Sequence, residues 1–189
     1  MATSTTPRST RLQTAYKTLE TYSSLSPEKM LETLAPDYTH QVLPESLNMP
    51  KRSRAEFAAH AAGITSIFTE FAMEPQSVYE DPKANTVLAH CRMVGQLARG
   101  LGPWVNSCVI FMKFNEDGTK ITEWVEFVDS ARAGLLRQKL MGAMDKNMDM
   151  KKGGPRGGFL PESGYLALLA GVAVVATVGF RLNWLKVNF

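Results

Sequence analysis

The chain lacks the sequence patterns that usually hold metals, nucleotides or nucleic acids. Its three histidines are isolated, without HxxxH or HExxH spacing, so no metal site is expected. No glycine-rich phosphate loop opens a helix. The net charge is only +3, from 21 basic and 18 acidic residues, and no aromatic and basic surface pattern accompanies it. We therefore expect neither a metal nor an organic cofactor, and no nucleic-acid partner.

Secretion and disulfide chemistry are not expected either. Residues 1–7 belong to a start rich in Ser and Thr that has no apolar stretch, so they are interpreted as a disordered lead-in rather than a secretory signal. Cys91 and Cys108 lie in apolar runs, far from a CxxC spacing. They are interpreted as free, buried thiols of a protein from a reducing compartment. A chain of 189 residues with 44% hydrophobic residues is expected to form one principal domain.

What the sequence does contain is a run of helices followed by a run of strands. Apolar spacing and capping residues predict helices over 8–23, 26–35 and 53–68, and a short strand over 38–43. Strands are then predicted over 71–80, 86–97, 105–114 and 120–128, and a last helix over 130–141. This order indicates an α+β domain in which N-terminal helices pack on a strongly curved antiparallel sheet. Such a sheet, closed by helices, forms a cone whose open end is a natural small-molecule pocket.

The C-terminal region carries a long uncharged stretch. Residues 163–180 hold eighteen residues without a charge, which just meets the length of a transmembrane helix, and Trp184 is placed like an interfacial anchor. We predict a flexible, basic, glycine-rich linker over 142–162 and a single-pass membrane anchor over 163–185, with the domain of residues 8–141 in the cytosol. The endoplasmic reticulum is the first choice of membrane and the mitochondrial outer membrane the second. The alternative is a soluble apolar helix or strand that packs on a partner subunit.

Three stretches carry a resemblance to a known family: 36–44 (PDYTHQVLP), 57–60 (FAAH) and 126–130 (EFVDS). In these and in the order of its elements, the chain resembles the SnoaL-like branch of the NTF2-like superfamily. It is most similar to the fungal members of polyketide and meroterpenoid pathways, which are often called isomerases or cyclases. The resemblance covers about residues 8–141. It implies a cone-shaped cavity, cofactor-free acid–base chemistry on a small lipophilic substrate, and frequent homodimers.

The candidate catalytic residues are His40, Glu126 and Asp129. His40 lies mid-strand, and its ring can exchange a proton at physiological pH, although a core histidine is the alternative. Alternation along the last strand places Glu126 on the same face as Trp124, where an apolar surrounding would raise its pKa; an exposed acid is the alternative. Asp129 stands immediately before a helical run, so a helix cap is its first interpretation and a supporting role in the pocket its second.

Side chains on the inward faces of the predicted elements are the candidate substrate-binding residues. These are Tyr38, His60, Trp104, Asn106, Met112 and Trp124. His60 shares a helix face with apolar residues and can also be a structural histidine. His90 falls on a polar strand face and is predicted to lie outside, and the basic run 51–54 is interpreted as solvated loop charge.

Two classes of function fit these observations. The first is a membrane-tethered isomerase or cyclase that acts on a lipophilic polyketide or terpenoid intermediate, with Glu126 and His40 as the acid–base pair. A dehydratase or hydrolase that uses the same cavity is the nearest enzymatic alternative. The second class is a non-catalytic binding or dimerisation module at a membrane, because no residue set in the sequence is diagnostic of catalysis.

Overall fold

The computed structural model describes residues 8–152, which form four α-helices, two short 3-10 helices and six strands. The helices are α1 (Thr10–Thr21), α2 (Pro27–Leu31), α3 (Arg54–Ile67) and α4 (Ser130–Lys152). The strands are β1 (Leu34–Leu43), β2 (Arg52–Ser53), β3 (Phe68–Asp81), β4 (Thr86–Leu97), β5 (Gly102–Phe114) and β6 (Ile121–Val128). The predicted lead-in over 1–7 and the predicted anchor over 163–185 lie outside the described residues.

Serine side chains cap the first three helices. The Ser9 hydroxyl accepts a hydrogen bond from the backbone N–H of Leu12, 3.2 Å away, and Ser26 caps α2 in the same way. At α3 the predicted capping box is confirmed, because Ser53 and Glu56 each bond the other's backbone N–H. This box fixes the start of α3 directly after β2, and it therefore fixes the neighbouring Arg52 as well.

The six strands form one sheet in the order β2-β1-β6-β5-β4-β3. Strands β3 to β6 are the antiparallel meander that the alternation predicted. The prediction of a wholly antiparallel sheet is wrong in one place, because β1 pairs with β6 in parallel. Two strands so far apart in the sequence are not joined by a hairpin, so no turn between them forces the antiparallel direction.

Strand β1 also begins earlier than predicted, at Leu34, and it includes Pro36. Proline removes a ladder hydrogen bond, and its place in a strand therefore needs an irregularity. The pairing of β1 with β6 shifts register between Leu34 and Thr39, which is where Pro36 lies. Beyond the shift the pairing is regular, and it places His40 opposite Trp124 and Val42 opposite Glu126.

The core lies between the inner face of the sheet and helices α1 and α3. Along β5 the buried and more exposed positions alternate, so that Asn106, Cys108, Ile110 and Met112 face inward. The largest fully buried side chains include Trp124, Tyr38, Phe57, Leu19 and Met30. The prediction of two buried, free cysteines is confirmed, and Cys91 and Cys108 lie opposite each other on β4 and β5.

Helix α4 continues to Lys152, past its predicted end near residue 141. The first part of the stretch predicted as a linker is therefore helical. Leu135 and Met141 are exposed on this helix, whereas Leu136 and Leu140 pack against the core. Within residues 8–152, no helix combines the length and the apolar character that a bilayer crossing requires.

Candidate active site

An internal cavity of about 560 Å³ opens between the inner face of the sheet, α3 and α4. A volume of this size accommodates a small organic molecule. Most of its wall is apolar and includes Val42, Ile64, Phe68, Phe71, Met93 and Leu136. The polar side chains on the wall include Arg52, Glu56, His60, Asn106 and Glu126. The cavity therefore suits a lipophilic ligand that presents a few polar groups to one end.

Glu126 supplies the carboxylate of the cavity, and its side chain is only 16% exposed. The indole N–H of Trp124 donates a hydrogen bond to its Oε2 at 3.2 Å. Its other oxygen, Oε1, lies 3.7 Å from Nε2 of His40. Alternation along β6 correctly placed Glu126 and Trp124 on one face. That spacing of two residues lets the indole of the first reach the carboxylate of the second.

The ionisation of Glu126 differs from the prediction. Burial raises the pKa of the Glu126 carboxyl, but its interactions with His40 and Trp124 lower the pKa by more, so the net shift is downward. The predicted upward shift is therefore wrong. A single sequence does not show which donors will reach a buried carboxylate. Because its pKa is lowered, Glu126 is ionised at neutral pH, and both of its oxygens are available as acceptors.

His40 lies behind Glu126 and does not line the cavity. Its side chain is 2% exposed, and its ring packs on Phe57 with 4.9 Å between ring centroids. One ring nitrogen, Nε2, faces Glu126, and the other, Nδ1, lies 3.4 Å from Nη1 of Arg52. His40 and Glu126 are therefore neighbours, but only Glu126 lines the cavity. Glu126 can touch a ligand, and His40 can act on it only through Glu126.

Arg52 is the residue of this site that the sequence analysis missed. The interpretation of the run 51–54 as solvated loop charge is wrong for Arg52, which is 7% exposed. It lies directly opposite His40 in the pairing of β2 with β1. Burial lowers the pKa of Arg52, although an arginine side chain keeps its proton in proteins. Strand β2 spans only two residues, which is too short for any periodicity to reveal its buried face.

His60 lines the cavity from α3, half-buried, with its ring centroid 5.7 Å from that of His40. Burial, with a smaller contribution from the nearby Arg52 guanidinium, lowers the pKa of His60 to about 3. The ring is therefore neutral at physiological pH. A neutral imidazole carries one N–H donor and one acceptor, so His60 can hold a ligand oxygen without exchanging its own charge.

Trp104 and Asn106 also line the cavity, as predicted. The indole of Trp104 lies against the Phe68 ring, with 5.6 Å between centroids, and its buried Nε1 has no hydrogen-bond partner among the described residues. The Asn106 amide is already engaged with backbone. Its Oδ1 accepts from the N–H of Ser107 at 2.8 Å, and its Nδ2 donates to the carbonyl of Asp129. These bonds fix the Asn106 side chain as part of the cavity wall. One N–H of its amide remains available to a ligand.

Three of the predicted substrate-binding residues do not line the cavity. Tyr38 is buried against the edge of the Phe57 ring, and its hydroxyl has no partner within residues 8–152. Met112 is fully buried in the core. Trp124 is also fully buried and contacts the site through its hydrogen bond to Glu126. Strand alternation identifies the inward face, but it does not separate the residues that fill the core from those that line the cavity.

Asp129 lies outside the cavity and caps α4. Its Oδ1 accepts hydrogen bonds from the backbone N–H groups of Ala131 and Arg132, at 3.0 and 3.2 Å. The first interpretation from sequence, a helix cap, describes this geometry. Asp129 also borders a shallow outer depression of about 270 Å³, together with His90, which is exposed as predicted and lies 3.0 Å from the Ser107 hydroxyl. Among the described residues, no group of three His, Cys, Asp or Glu side chains could hold a metal ion.

Among known proteins, the chain is similar to several from fungi. The profile of the SnoaL-like domain family matches residues 15–124. The chain is 27% identical over 133 residues to austinoid biosynthesis clusters protein H of Penicillium brasilianum, covering 68% of this chain and 89% of that protein. It is 26% identical over 125 residues to monooxygenase dmxR10 of Cryptosporiopsis sp., covering 66% and 83%. The resemblance that the sequence carried is thereby confirmed.

Solved structures show the same fold. AusH from Aspergillus nidulans superimposes with a TM-score of 0.62 at 25% identity, covering 67% of this chain and 88% of that one. The pinacolase BvnE from Penicillium brevicompactum gives a TM-score of 0.68 at 19% identity, covering 71% and 96%. An NTF2-like protein of Burkholderia pseudomallei gives 0.56 at 15% identity, covering 69% and 97%. The helices and curved sheet of residues 8–152 are therefore the NTF2-like fold.

Proposed function

Because the chain belongs to the SnoaL-like family, we propose that it is a cofactor-independent acid–base isomerase or cyclase of fungal-type secondary metabolism. The observation that carries this proposal is the Glu126 carboxylate, ionised in a largely apolar cavity and backed by His40. A lipophilic polyketide or terpenoid intermediate would fill such a cavity. The relative named for austinoid biosynthesis supports a secondary-metabolite substrate.

The proposed reaction begins with Glu126 as the base. One carboxylate oxygen takes a proton from a substrate carbon next to a carbonyl, and the electron pair of the broken C–H bond moves into an enolate. Glu126 then returns the proton to a different carbon, which gives an isomer. Alternatively, the enolate carbon attacks a carbonyl carbon of the same molecule and closes a ring; the π pair of that C=O moves to its oxygen, and the resulting alkoxide takes the proton back from Glu126. Atoms and electrons balance within one substrate molecule, so no oxidant or reductant is consumed.

In this proposal His60 stabilises the enolate oxygen. Its neutral ring lines the same end of the cavity as Arg52 and Glu126, and one of its nitrogens carries a hydrogen. A hydrogen bond to developing negative charge is stronger in an apolar cavity than in water. We assign His60 the role of a donor that keeps its proton, and Glu126 the role of the group that exchanges one.

The first test replaces Glu126 by glutamine, which keeps the shape of the side chain and removes the base. The gene is deleted in its host and restored as wild type, Glu126→Gln or Glu123→Gln, and metabolites are profiled by mass spectrometry. Glu123 is the matched control, because it is a half-exposed glutamate of β6 that pairs with Lys51. We expect Glu126→Gln to accumulate the same intermediate as the deletion, with a rate of conversion at least about 100-fold lower, and Glu123→Gln to restore the product.

The masses of intermediate and product separate the alternatives. An isomerase or cyclase gives a product of the same elemental composition as the accumulated intermediate. A dehydratase removes one water, a hydrolase adds one, and a monooxygenase adds one oxygen atom. The last alternative is favoured by the names of several relatives, among them dmxR10 and AgnL5 of Paecilomyces divaricatus. If Glu126→Gln gives the same metabolite profile as the restored wild type, Glu126 is not the base, the proposed mechanism fails, and a non-catalytic binding module becomes the favoured function.

We further propose that the protein forms a homodimer and is tethered to a membrane. Support for the dimer comes from the outer face of the sheet, where Phe111 and Phe127 are 45% and 52% exposed. Support for the tether comes from the uncharged stretch 163–180 alone. A lipophilic intermediate partitions into membranes, so a tethered enzyme would meet it at the bilayer surface.

A further inference from the structure

Arg52 is a buried cation without a carboxylate partner of its own. No carboxylate oxygen among the described residues lies within 4 Å of its guanidinium, whereas Arg11 and Arg92 both form ion pairs. What it does contact is a ring nitrogen, since its Nη1 lies 3.4 Å from Nδ1 of His40. The cost of burying a guanidinium is substantial. Its position opposite His40 therefore needs a reason beyond packing.

The donor and acceptor properties of the two groups decide where the His40 proton lies. A guanidinium carries only N–H donors, so the His40 nitrogen that it contacts must act as an acceptor. In a neutral imidazole the other nitrogen then carries the hydrogen. That other nitrogen is Nε2, which faces Oε1 of Glu126 at 3.7 Å. The opposite tautomer would point an N–H at a cation and a lone pair at a carboxylate, which is unfavourable at both ends.

We propose that Arg52 is a positioning residue that fixes His40 in the tautomer with its hydrogen on Nε2. This inference rests on the proposed role of Glu126 as the base. With the hydrogen on Nε2, His40 directs a donor at one carboxylate oxygen, and the Trp124 indole directs a second donor at the other. Each carboxylate oxygen thus has one N–H group aimed at it from the protein side. Glu126 also lines the cavity, where a substrate proton would be.

The 3.7 Å between Nε2 of His40 and Oε1 of Glu126 is longer than a hydrogen bond, so the two groups are adjacent but not bonded. With the hydrogen already on Nε2, a small approach of either side chain would form the bond without a change of tautomer. The capping box of Ser53 and Glu56, which begins at the next residue, holds Arg52 in place.

The direct test is nitrogen NMR of the full-length protein labelled with ¹⁵N histidine. The His40 signals are assigned by their loss in His40→Gln. We expect Nδ1 to show the chemical shift of an unprotonated ring nitrogen and Nε2 that of a protonated one. A spectrum with the hydrogen on Nδ1, or on both nitrogens, at neutral pH overturns the inference. This measurement needs no change at Arg52 and no substrate.

Substitutions of Arg52 test the same idea through its donors. Arg52→Met keeps much of the volume and removes every donor, Arg52→Gln supplies a group that can donate or accept, and Arg52→Lys keeps a group that only donates. We expect mixed His40 tautomers in the Met and Gln variants, with turnover of the intermediate from the deletion strain at least roughly tenfold lower. We expect Arg52→Lys to restore the wild-type tautomer and part of the rate.

Arg92→Met is the matched control, because Arg92 is an exposed cation on the outer face that pairs with Glu74. It should change neither the His40 spectrum nor the rate. If Arg52→Met is folded, as judged by its amide spectrum, and keeps the wild-type tautomer, Arg52 is not the positioning residue. Failure of the proposed function would look different: Glu126→Gln would retain activity while the wild-type tautomer stayed as inferred.

Discussion

Among single residues, Glu126 and His60 determine how the cavity responds to pH. Both have a lowered pKa, but the lowered pKa leaves Glu126 charged and His60 neutral at physiological pH. Hydrogen-bond donors stabilise the charged form of Glu126, whereas burial disfavours the charged form of His60. One end of the cavity thus holds a charged carboxylate beside a neutral imidazole.

His60 should also make the fold sensitive to acid. In the unfolded chain its pKa returns to the ordinary value near 6.5, whereas in the folded protein it is about 3. Between these values the unfolded chain binds the additional proton, so the free energy of unfolding falls as pH falls. The loss is at most about 1.4 kcal/mol per pH unit, and less where water reaches the half-buried ring. Urea unfolding from about pH 7 to about pH 4 measures it.

Comparison of two histidine variants isolates this contribution. His60→Gln should show a shallower decline of stability with acid than the wild type, since the unfolded chain no longer gains a proton at this position. His90→Gln removes an exposed histidine and should leave the decline unchanged. The ionised Glu126 carboxylate also stabilises the fold, and this contribution is lost as pH falls through its lowered pKa. Because Glu126 is present in all three proteins, it adds the same decline to each. Equal declines in all three would contradict a buried, neutral His60.

The sequence was informative about some residues of the site and silent about others. Alternation along a long strand placed Glu126 on the inner face, and helical spacing turned His60 inward. Arg52 could not be found in the same way, because β2 spans only two residues and shows no alternation. Its burial follows from the pairing of β2 with β1, which the sequence does not show. The direction of the Glu126 pKa shift was also inaccessible, since it depends on which donors the fold brings to the carboxylate.

Among the elements, the close packing of β3 against β4 depends on a missing side chain at Gly95. A Cβ built there would lie 2.8 Å from the carbonyl oxygen of Glu70 and 2.8 Å from the Phe68 ring. Phe68 also contacts Trp104 in the cavity wall. Gly95→Ala would therefore displace backbone as well as the aromatic side chains that shape one end of the cavity.

We expect Gly95→Ala to lower the free energy of unfolding by about 1–3 kcal/mol through overpacking. Gly142→Ala provides a control of opposite sign. Its Cβ would meet nothing within 4 Å, and alanine in a helix interior is favoured over glycine by up to about 1 kcal/mol. Denaturant unfolding of the two variants beside the wild type measures both effects. A stabilised Gly95→Ala would show that the neighbouring backbone yields easily.

The order and type of the elements followed from the sequence, whereas their pairing did not. Caps and periodicity predicted the three N-terminal helices and the four-strand meander, because these signals are local. The parallel pairing of β1 with β6 joins strands that are distant in the chain, and nothing within either strand encodes the direction of its neighbour. The shift near Pro36 and the extension of α4 to Lys152 were missed for a similar reason, since both depend on neighbouring elements.

For the whole molecule, the sheet presents two unlike faces. The inner face is covered by helices and contains the cavity. The outer face exposes Phe111 and Phe127, which lie on the adjacent strands β5 and β6, and it carries Lys113 opposite Glu123 nearby. Two copies of such a face can pair about a two-fold axis, because the apolar centres then pack together and the positive charge of each copy lies near the negative charge of the other. The proposed homodimer would bury this face.

Substituting a charge into that face tests the dimer. We expect the wild type to behave as a dimer by light scattering coupled to size exclusion, and Phe111→Glu and Phe127→Glu to behave as monomers, because an unpaired charge in an apolar interface is costly. Leu135→Glu changes an equally exposed apolar residue of α4 and should leave the dimer intact. A wild type that is monomeric at every concentration contradicts the proposal, as does a dimer that only Leu135→Glu disrupts.

The parallel pairing of β1 with β6 has a consequence for how the site comes into existence. His40 reaches Glu126 only because the first long strand of the domain lies beside the last. A truncated chain that stops before Ile121 contains His40 and Arg52 but lacks Glu126, the residue that they would orient. During synthesis on a ribosome, the three side chains can therefore come together only after nearly all of the described chain has emerged.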